Sequence, residues 1–353
     1  MKALYTKISD QYSHRKPFVV YALPDSNKAV GLFQKDEKDF SSNDLLESGF
    51  VFAPFDGGEN RFIPNSSSEI LEAKIVSVPQ ALLEVKPPQL PEEKRNYKSL
   101  VASAIENIER TQLDKVVTSR STRVRLKRWD LEVLVERLLS LYPDAFRYIW
   151  FHPDTGFWCG ATPEILLTRE DLSFQTMALA GTRKYDETND PDWTPKEIQE
   201  QAMVVEAIQK KLETTASVIK VSRTVNHKAG SLVHLRTDFS GVLKKGGRNL
   251  IDIVNSLHPT PAVCGTPRDL AQDFIASHEG YDRSYYTGYL GPINSEAKQS
   301  KFYVNLRCMS LNESFATIYV GGGVVHASQP ESEWEETQNK LQTMLQVLAP
   351  MLP

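Results

Sequence analysis

Residues 232–243, LVHLRTDFSGVL, carry polar side chains at His234, Arg236, Asp238 and Ser240 and mostly apolar ones between them. Successive side chains of a strand point to opposite faces, so this alternation marks a sheet with one face on a core and one turned to polar surroundings. A parallel sheet covered on both sides reads instead as continuous apolar runs. Residues 115–126 read as another strand, with Val117, Ser119, Ser121 and Arg123 on the face that Lys115 shares. Further strand patterns fall at 148–150, 157–160, 164–167, 177–180, 286–290, 301–310 and 316–320. Helical spacing of Leu100, Val101, Ala104, Ile105 and Ile108 predicts a helix over 98–112, and Leu131, Leu134, Val135, Leu138 and Leu139 mark the next. TPKE at 194–197 is a capping box with proline at the first helical position, opening a helix to about residue 213. TPRD at 266–269 opens another, and a last helix over 331–348 buries Leu341, Met344, Leu345 and Leu348. Helices and strands interleave, yet the alternation favours α+β over a doubly wound fold.

The 353 residues, 41% hydrophobic and 24% charged, suffice for one large or two ordinary domains. A formal charge of −4 lacks the basic footprint of phosphate-backbone binding, which argues against a nucleic-acid partner. No segment reaches bilayer-spanning length, and MKALYTKISDQYSHRK lacks the apolar run of a secretory signal, so no membrane partner and a cytoplasmic location are expected. Cys159, Cys264 and Cys308 show no metal-binding spacing and read as buried free thiols. Residues 1–94 carry no chemical motif and read as scaffold, VKPPQLPEE at 85–93 reads as an extended connector, and a motif-dense part follows from 95 to 348.

Several familiar chemistries lack support. The triplet Gly321, Gly322, Gly323 is flanked by neither GxGxxG nor GxxxxGK[ST], His278-Glu279 lacks a second histidine, and no GxSxG occurs. Glu331, Glu333, Glu335 and Glu336 are in the ordinary case a solvated helix start. The spacing of Glu333, Glu336 and Lys340, however, puts two carboxylates and an ammonium on one helix face, where a hard cation fits if another carboxylate comes from elsewhere. Glu200, one turn past Glu197 and beside Met203 and Val204, is the candidate, although a glutamate taken alone belongs to the surface.

Seven segments, KVVTSR at 115–120, GATPE at 160–164, LAGT at 179–182, LHPTP at 257–261, NLRC at 305–308, VGGG at 320–323 and EWEET at 333–337, resemble the chorismate-binding family in order and spacing. The resemblance covers roughly 95–348. It implies one α+β domain of two packed antiparallel sheets flanked by helices, like component I of anthranilate synthase, with residues 1–94 as its variable part. It also implies a magnesium ion held by Glu200 and Glu336, with Glu333 close by. Lys115 matches the general base of the water-using members, a role that asks for a desolvated site. Glu164 matches the general acid, needed because the C4 hydroxyl of chorismate leaves poorly unless protonated. Gly181, Thr182, His234, Thr260, Ala262, Tyr286, Arg307, the three glycines and Lys340 match substrate-pocket positions, with Arg307 suited to a carboxylate by its bidentate fork. Ala180 stands where covalent-adduct-forming members carry lysine.

The resemblance therefore implies an isomerase that turns chorismate into isochorismate with magnesium and without a glutaminase subunit. Menaquinone and siderophore routes both draw on that product. The salicylate-forming members, which eliminate pyruvate as well, share the same lysine, glutamate and metal residues. The ammonia-using anthranilate and aminodeoxychorismate synthases, and a non-catalytic chorismate binder, fit Lys115 and the acid/base pair less well. Gln201 in place of the family's common histidine, and Glu197 in place of aspartate, are the departures.

Overall fold

Every strand pairing among the described residues is antiparallel, and the pairs assemble into two sheets. The computed structural model describes residues 1–42, 44–75, 82–88, 90–186, 191–244 and 250–353. From edge to edge the first sheet runs Gly265–Thr266, Lys115–Arg125, Phe315–Val324, Cys308–Leu311, Gly156–Thr162, Phe146–His152, Phe18–Ala22, Lys28–Gln34 and Ser68–Lys74. The second runs Ala216–Val221, Leu232–Leu243, Ser173–Lys184, Ile165–Glu170, Gln299–Val304, Tyr289–Asn294, Gly49–Ala53 and Arg61–Pro64, with Val225–Ala229 added against Leu232–Leu243. The first third of the chain thus supplies strands to both sheets.

Seven helices flank them among the described residues: α1 (Lys2–Ser13), α2 (Pro91–Arg110), α3 (Leu131–Leu141), α4 (Pro195–Thr215), α5 (Leu250–Leu257), α6 (Arg268–His278) and α7 (Pro330–Leu348). Helices α1, α2, α3, α6 and α7 cover the first sheet, while α4 and α5 cover the second. Between the sheets lies a largely aromatic layer that includes Phe50, Phe52, Phe146, Tyr148, Trp150, Trp158 and Tyr303. Fully burying one such side chain contributes roughly 1.5–3 kcal/mol, so this layer fixes how the sheets face each other. It fills one part of the gap. The functional cavity occupies another, beside the strands Lys115–Arg125 and Phe315–Val324.

The α+β, two-sheet expectation holds, with local differences. The strand pattern read over 301–310 is two strands in different sheets, because the chain crosses at 305–307, where Arg307 takes φ 46°. The strand read from 286 begins at Tyr289. Helix α2 starts at Pro91, well before residue 98, since proline suits the first helical position and Glu92 and Glu93 favour its N-terminus. The expected connector therefore ends by residue 90, and Gln89 lies outside the described residues. Helices α1 and α5 have no counterpart in the sequence reading. All three cysteines are buried and free. Among the described residues no helix is long and apolar enough to cross a membrane.

Candidate active site

Two crossings between the sheets place the first pair of functional side chains. One joins Gly156–Thr162 to Ile165–Glu170 through Pro163 and Glu164, and the other joins Gln299–Val304 to Cys308–Leu311 through 305–307. They are fastened together: Val304 N–H donates to the Glu164 carbonyl at 3.0 Å, Ala161 N–H to the Arg307 carbonyl at 3.1 Å, and Thr162 Oγ1 to the Val304 carbonyl at 2.7 Å. This fastening holds Arg307 in the left-handed region, which costs a residue with a Cβ on the order of 1 kcal/mol. The Glu164 carboxyl is 2% exposed and accepts a long hydrogen bond of 3.4 Å from Thr260 Oγ1. Burial raises its pKa to about 7, against the pull of Lys115, Thr260 and Arg307.

Lys115 opens its strand and is fully buried. Its Nζ stands 3.2 Å from Glu200 Oε1 without the alignment of a hydrogen bond. Glu200 comes from α4 and is buried, contrary to the ordinary surface reading. The glycines of Phe315–Val324 make this approach possible. A Cβ at Gly323 would lie 2.1 Å from Glu200 Oε1 and 2.9 Å from Lys115 Cε, and one at Gly321 would lie 2.6 Å from the Thr118 carbonyl and 3.0 Å from the Tyr286 hydroxyl. At Gly322 it would meet Glu333 Oε2 at 3.1 Å. A side chain at Gly321 would meet the backbone of Thr118, and one at Gly323 would displace Glu200 and Lys115.

The acidic start of α7 divides by direction. Glu331 and Glu335 are exposed, and Glu331 pairs with Lys94 and Lys98 of α2. Glu333 and Glu336 turn inward, where Lys340 Nζ pairs with Glu336 Oε1 at 2.6 Å and donates to the Gly321 carbonyl at 2.8 Å. Burial pushes the Glu333 carboxyl upward, with the charge of Glu336 adding to it. In Glu336 burial acts the same way, but Lys340 and Lys196 outweigh it and hold the carboxyl below its usual range.

Lys196 was not singled out from the sequence, although Lys196 and Glu200 stand at i and i+4 on α4. Its Nζ lies 3.0 Å from Glu333 Oε1 and 3.6 Å from Glu200 Oε2. The oxygens of Glu200, Glu333 and Glu336 are hard donors of the kind magnesium takes, and Glu333 Oε2 is buried without a hydrogen-bond partner. Elsewhere Asp39, His152 and Asp154 bring ligand atoms within 4.8 Å of one another, but Arg61 already pairs with both aspartates.

On the opposite wall, a β-bulge between Ala180 and Arg183 and the φ of 69° at Gly181 shape the chain at Gly181 and Thr182. His234 Nδ1 lies 2.9 Å from the Gly181 carbonyl and 3.2 Å from Thr182 Oγ1, while Nε2 lies 3.2 Å from an Arg307 nitrogen. Burial lowers the His234 pKa to about 3, so the ring is neutral at pH 7. A proton on Nδ1 then donates to the Gly181 carbonyl and leaves Nε2 to accept from Arg307. Gln201 Nε2 donates to the Ala178 carbonyl and Thr237 Oγ1, tying α4 to its sheet.

These elements border a cavity of about 70 Å³ that is partly open to solvent. Glu164, Gly181, Thr182, Glu200, His234, Ala262, Tyr286, Arg307, Gly321, Gly322, Gly323, Glu336 and Lys340 all line it. Lys115 and Thr260 stand just behind the wall, in contact with Glu200 and Glu164 respectively, and Glu333 faces a second, outer cavity. Val117, Val263 and Tyr319 are among the other lining residues and were not read as pocket residues from the sequence, since nothing in a lone apolar residue distinguishes a pocket wall from a core.

Two antiparallel sheets enclosing a buried lysine, a neutral-range carboxyl and three carboxylates define a class of α+β enzyme. Residues 65–349 match the family described as chorismate binding enzyme, and the chain belongs to that family. It is 30% identical over 340 residues to isochorismate synthase EntC of Escherichia coli (strain K12), covering 92% of this chain and 86% of that protein. Its structure resembles that of a putative 2,3-dihydroxybenzoate-specific isochorismate synthase, DhbC from Bacillus anthracis, with a TM-score of 0.78 and 25% identity over 97% of this chain and 99% of the other. The fold is also that of MenF, the menaquinone-specific isochorismate synthase from Escherichia coli, with a TM-score of 0.74 and 24% identity over 94% and 88% of the two chains.

Proposed function

We propose that this protein is an isochorismate synthase, converting chorismate reversibly to isochorismate by attack of water at C2 and loss of the C4 hydroxyl. The observation that carries this reading is the buried Glu164 carboxyl, whose pKa near 7 leaves it a proton to give at neutral pH, set in the same site as the buried amine of Lys115. In the forward direction Lys115 acts as the base that takes a proton from water, the oxygen bonds to C2, both ring double bonds shift, and the C4–O bond breaks. Glu164 protonates the departing oxygen, so one water enters and one leaves. Exchange with solvent then resets both groups. Arg307, held against neutral His234, offers its fork to a substrate carboxylate.

Glu200, Glu333 and Glu336 fit a magnesium ion by donor type and by the unpartnered Glu333 oxygen. Bound there, the ion would offset the charge of a substrate carboxylate and fix its position. The proposal extends to a cytoplasmic location and to action on chorismate without an ammonia-supplying subunit. Chorismate turnover by the pure protein should stop in excess chelator and return when magnesium is restored. Full activity in chelator would remove the metal from the reading.

A further inference from the structure

Lys196 has no part in the chemistry set out above, yet its ammonium touches the oxygens that a divalent cation would use. It lies 3.0 Å from Glu333 Oε1 and 3.6 Å from Glu200 Oε2, and the charges of Glu200, Glu333 and Glu336 outweigh the burial that would otherwise favour its neutral form. The side chain is 16% exposed and lines the outer cavity together with Glu333, Glu336, Thr194, Ser328 and Asn339. Glu336 belongs to the walls of both cavities, so the carboxylates form a partition between the substrate cavity and this outer one. Glu333 Oε2, buried against Gly322, has no hydrogen-bond partner, so the cluster retains an unused ligand oxygen although an ammonium is present.

Two positive groups cannot use the same oxygens, because their mutual repulsion is strong where solvent screening is weak. We propose that Lys196 is a tethered counter-cation that competes with the divalent ion for Glu200 and Glu333, moving towards the outer cavity when the ion binds and returning when it leaves. The inference rests on the magnesium-dependent reading of the site. It gives the lysine two effects: it offsets the buried carboxylates so that the fold does not depend on metal, and it weakens metal binding. A lysine that only oriented the ligands would act in the opposite sense, since its removal would weaken the metal site.

The opposite signs make calorimetric titration with magnesium chloride decisive. Lys196→Met should bind magnesium at least ten-fold more tightly than the wild type, and its melting temperature should rise more between chelator and magnesium. Equal or weaker affinity in a folded Lys196→Met overturns the proposal. Should that variant fail to fold, acetylation of wild-type lysines followed by mass spectrometry provides the second reading. Labelling of Lys196 should increase when magnesium replaces chelator, and unchanged or reduced labelling overturns the proposal. Absence of magnesium binding to the wild type overturns the metal reading and this inference together. Binding that leaves both the affinity comparison and the labelling unmoved overturns this inference alone.

Discussion

Lys115 and Glu200 meet across Gly323: Nζ and Oε1 are 3.2 Å apart, and a Cβ on the glycine would lie 2.1 Å from the carboxylate oxygen and 2.9 Å from the lysine Cε. The proposed base and a proposed metal ligand therefore depend on one missing side chain. Gly323→Ala should keep the secondary structure seen by circular dichroism but lower kcat on the order of 100-fold, the usual effect of displacing a catalytic group by about 1 Å. Near-normal kcat would show that Glu200 has room to move without consequence.

Lys115→Gln tests the base itself. Glu200 keeps Lys196 at 3.6 Å, so the substitution does not leave the carboxylate without a cation. The variant should fold and bind chorismate, while kcat falls by roughly 10²–10⁴-fold, the range typical of general-base removal. Steady-state kinetics with a separate binding measurement distinguish these effects, and an unchanged kcat would assign the base elsewhere.

Glu164 makes a prediction about stability as well as rate. Its folded pKa of about 7 lies above the reference value of 4.5, so between those values the native state holds a proton that the unfolded chain has released. Stability therefore falls as pH rises through that window, by up to about 3 kcal/mol once pH exceeds 7. Glu164→Gln stays neutral and escapes this penalty. Urea unfolding should find its advantage over wild type larger at pH 8 than at pH 5, with turnover lost at both. An equal difference at the two pH values would mean that Glu164 titrates normally.

Glu200 and Glu336 come from helices far apart in the chain, α4 and α7. If both hold one ion, Glu200→Gln and Glu336→Gln should each raise the magnesium concentration needed for activity, and the double variant should be little worse than either single one. A double-mutant cycle over free magnesium measures this. Simple addition of the two losses would separate the residues into independent sites.

Much of this was legible in the sequence because each signal was local. The capping box at Thr194 and Glu197 forms as the spacing predicts, and Leu232–Leu243 is a strand over the full range read from alternation. That Glu333, Glu336 and Lys340 share one helix face follows from helical spacing, and the fold turns that face inward. What escaped depends on tertiary context. The strand read over 148–150 runs over Phe146–His152, and its ends went unread because helices cover the outer face of this antiparallel sheet, leaving every position buried and the pattern without alternation. Arg307 sits in a sheet crossing that no periodicity marks, since the residues on both sides of it are strand-like. Lys196 hid in its capping motif, and only the fold brings Glu333 to it.

The central claim is most directly tested by the product. Pure protein incubated with chorismate and magnesium, followed by chromatographic separation with a pyruvate assay, should yield isochorismate approaching a fixed ratio with chorismate from either direction, with no pyruvate released. Salicylate with equimolar pyruvate, or no consumption of chorismate at all, would contradict the account.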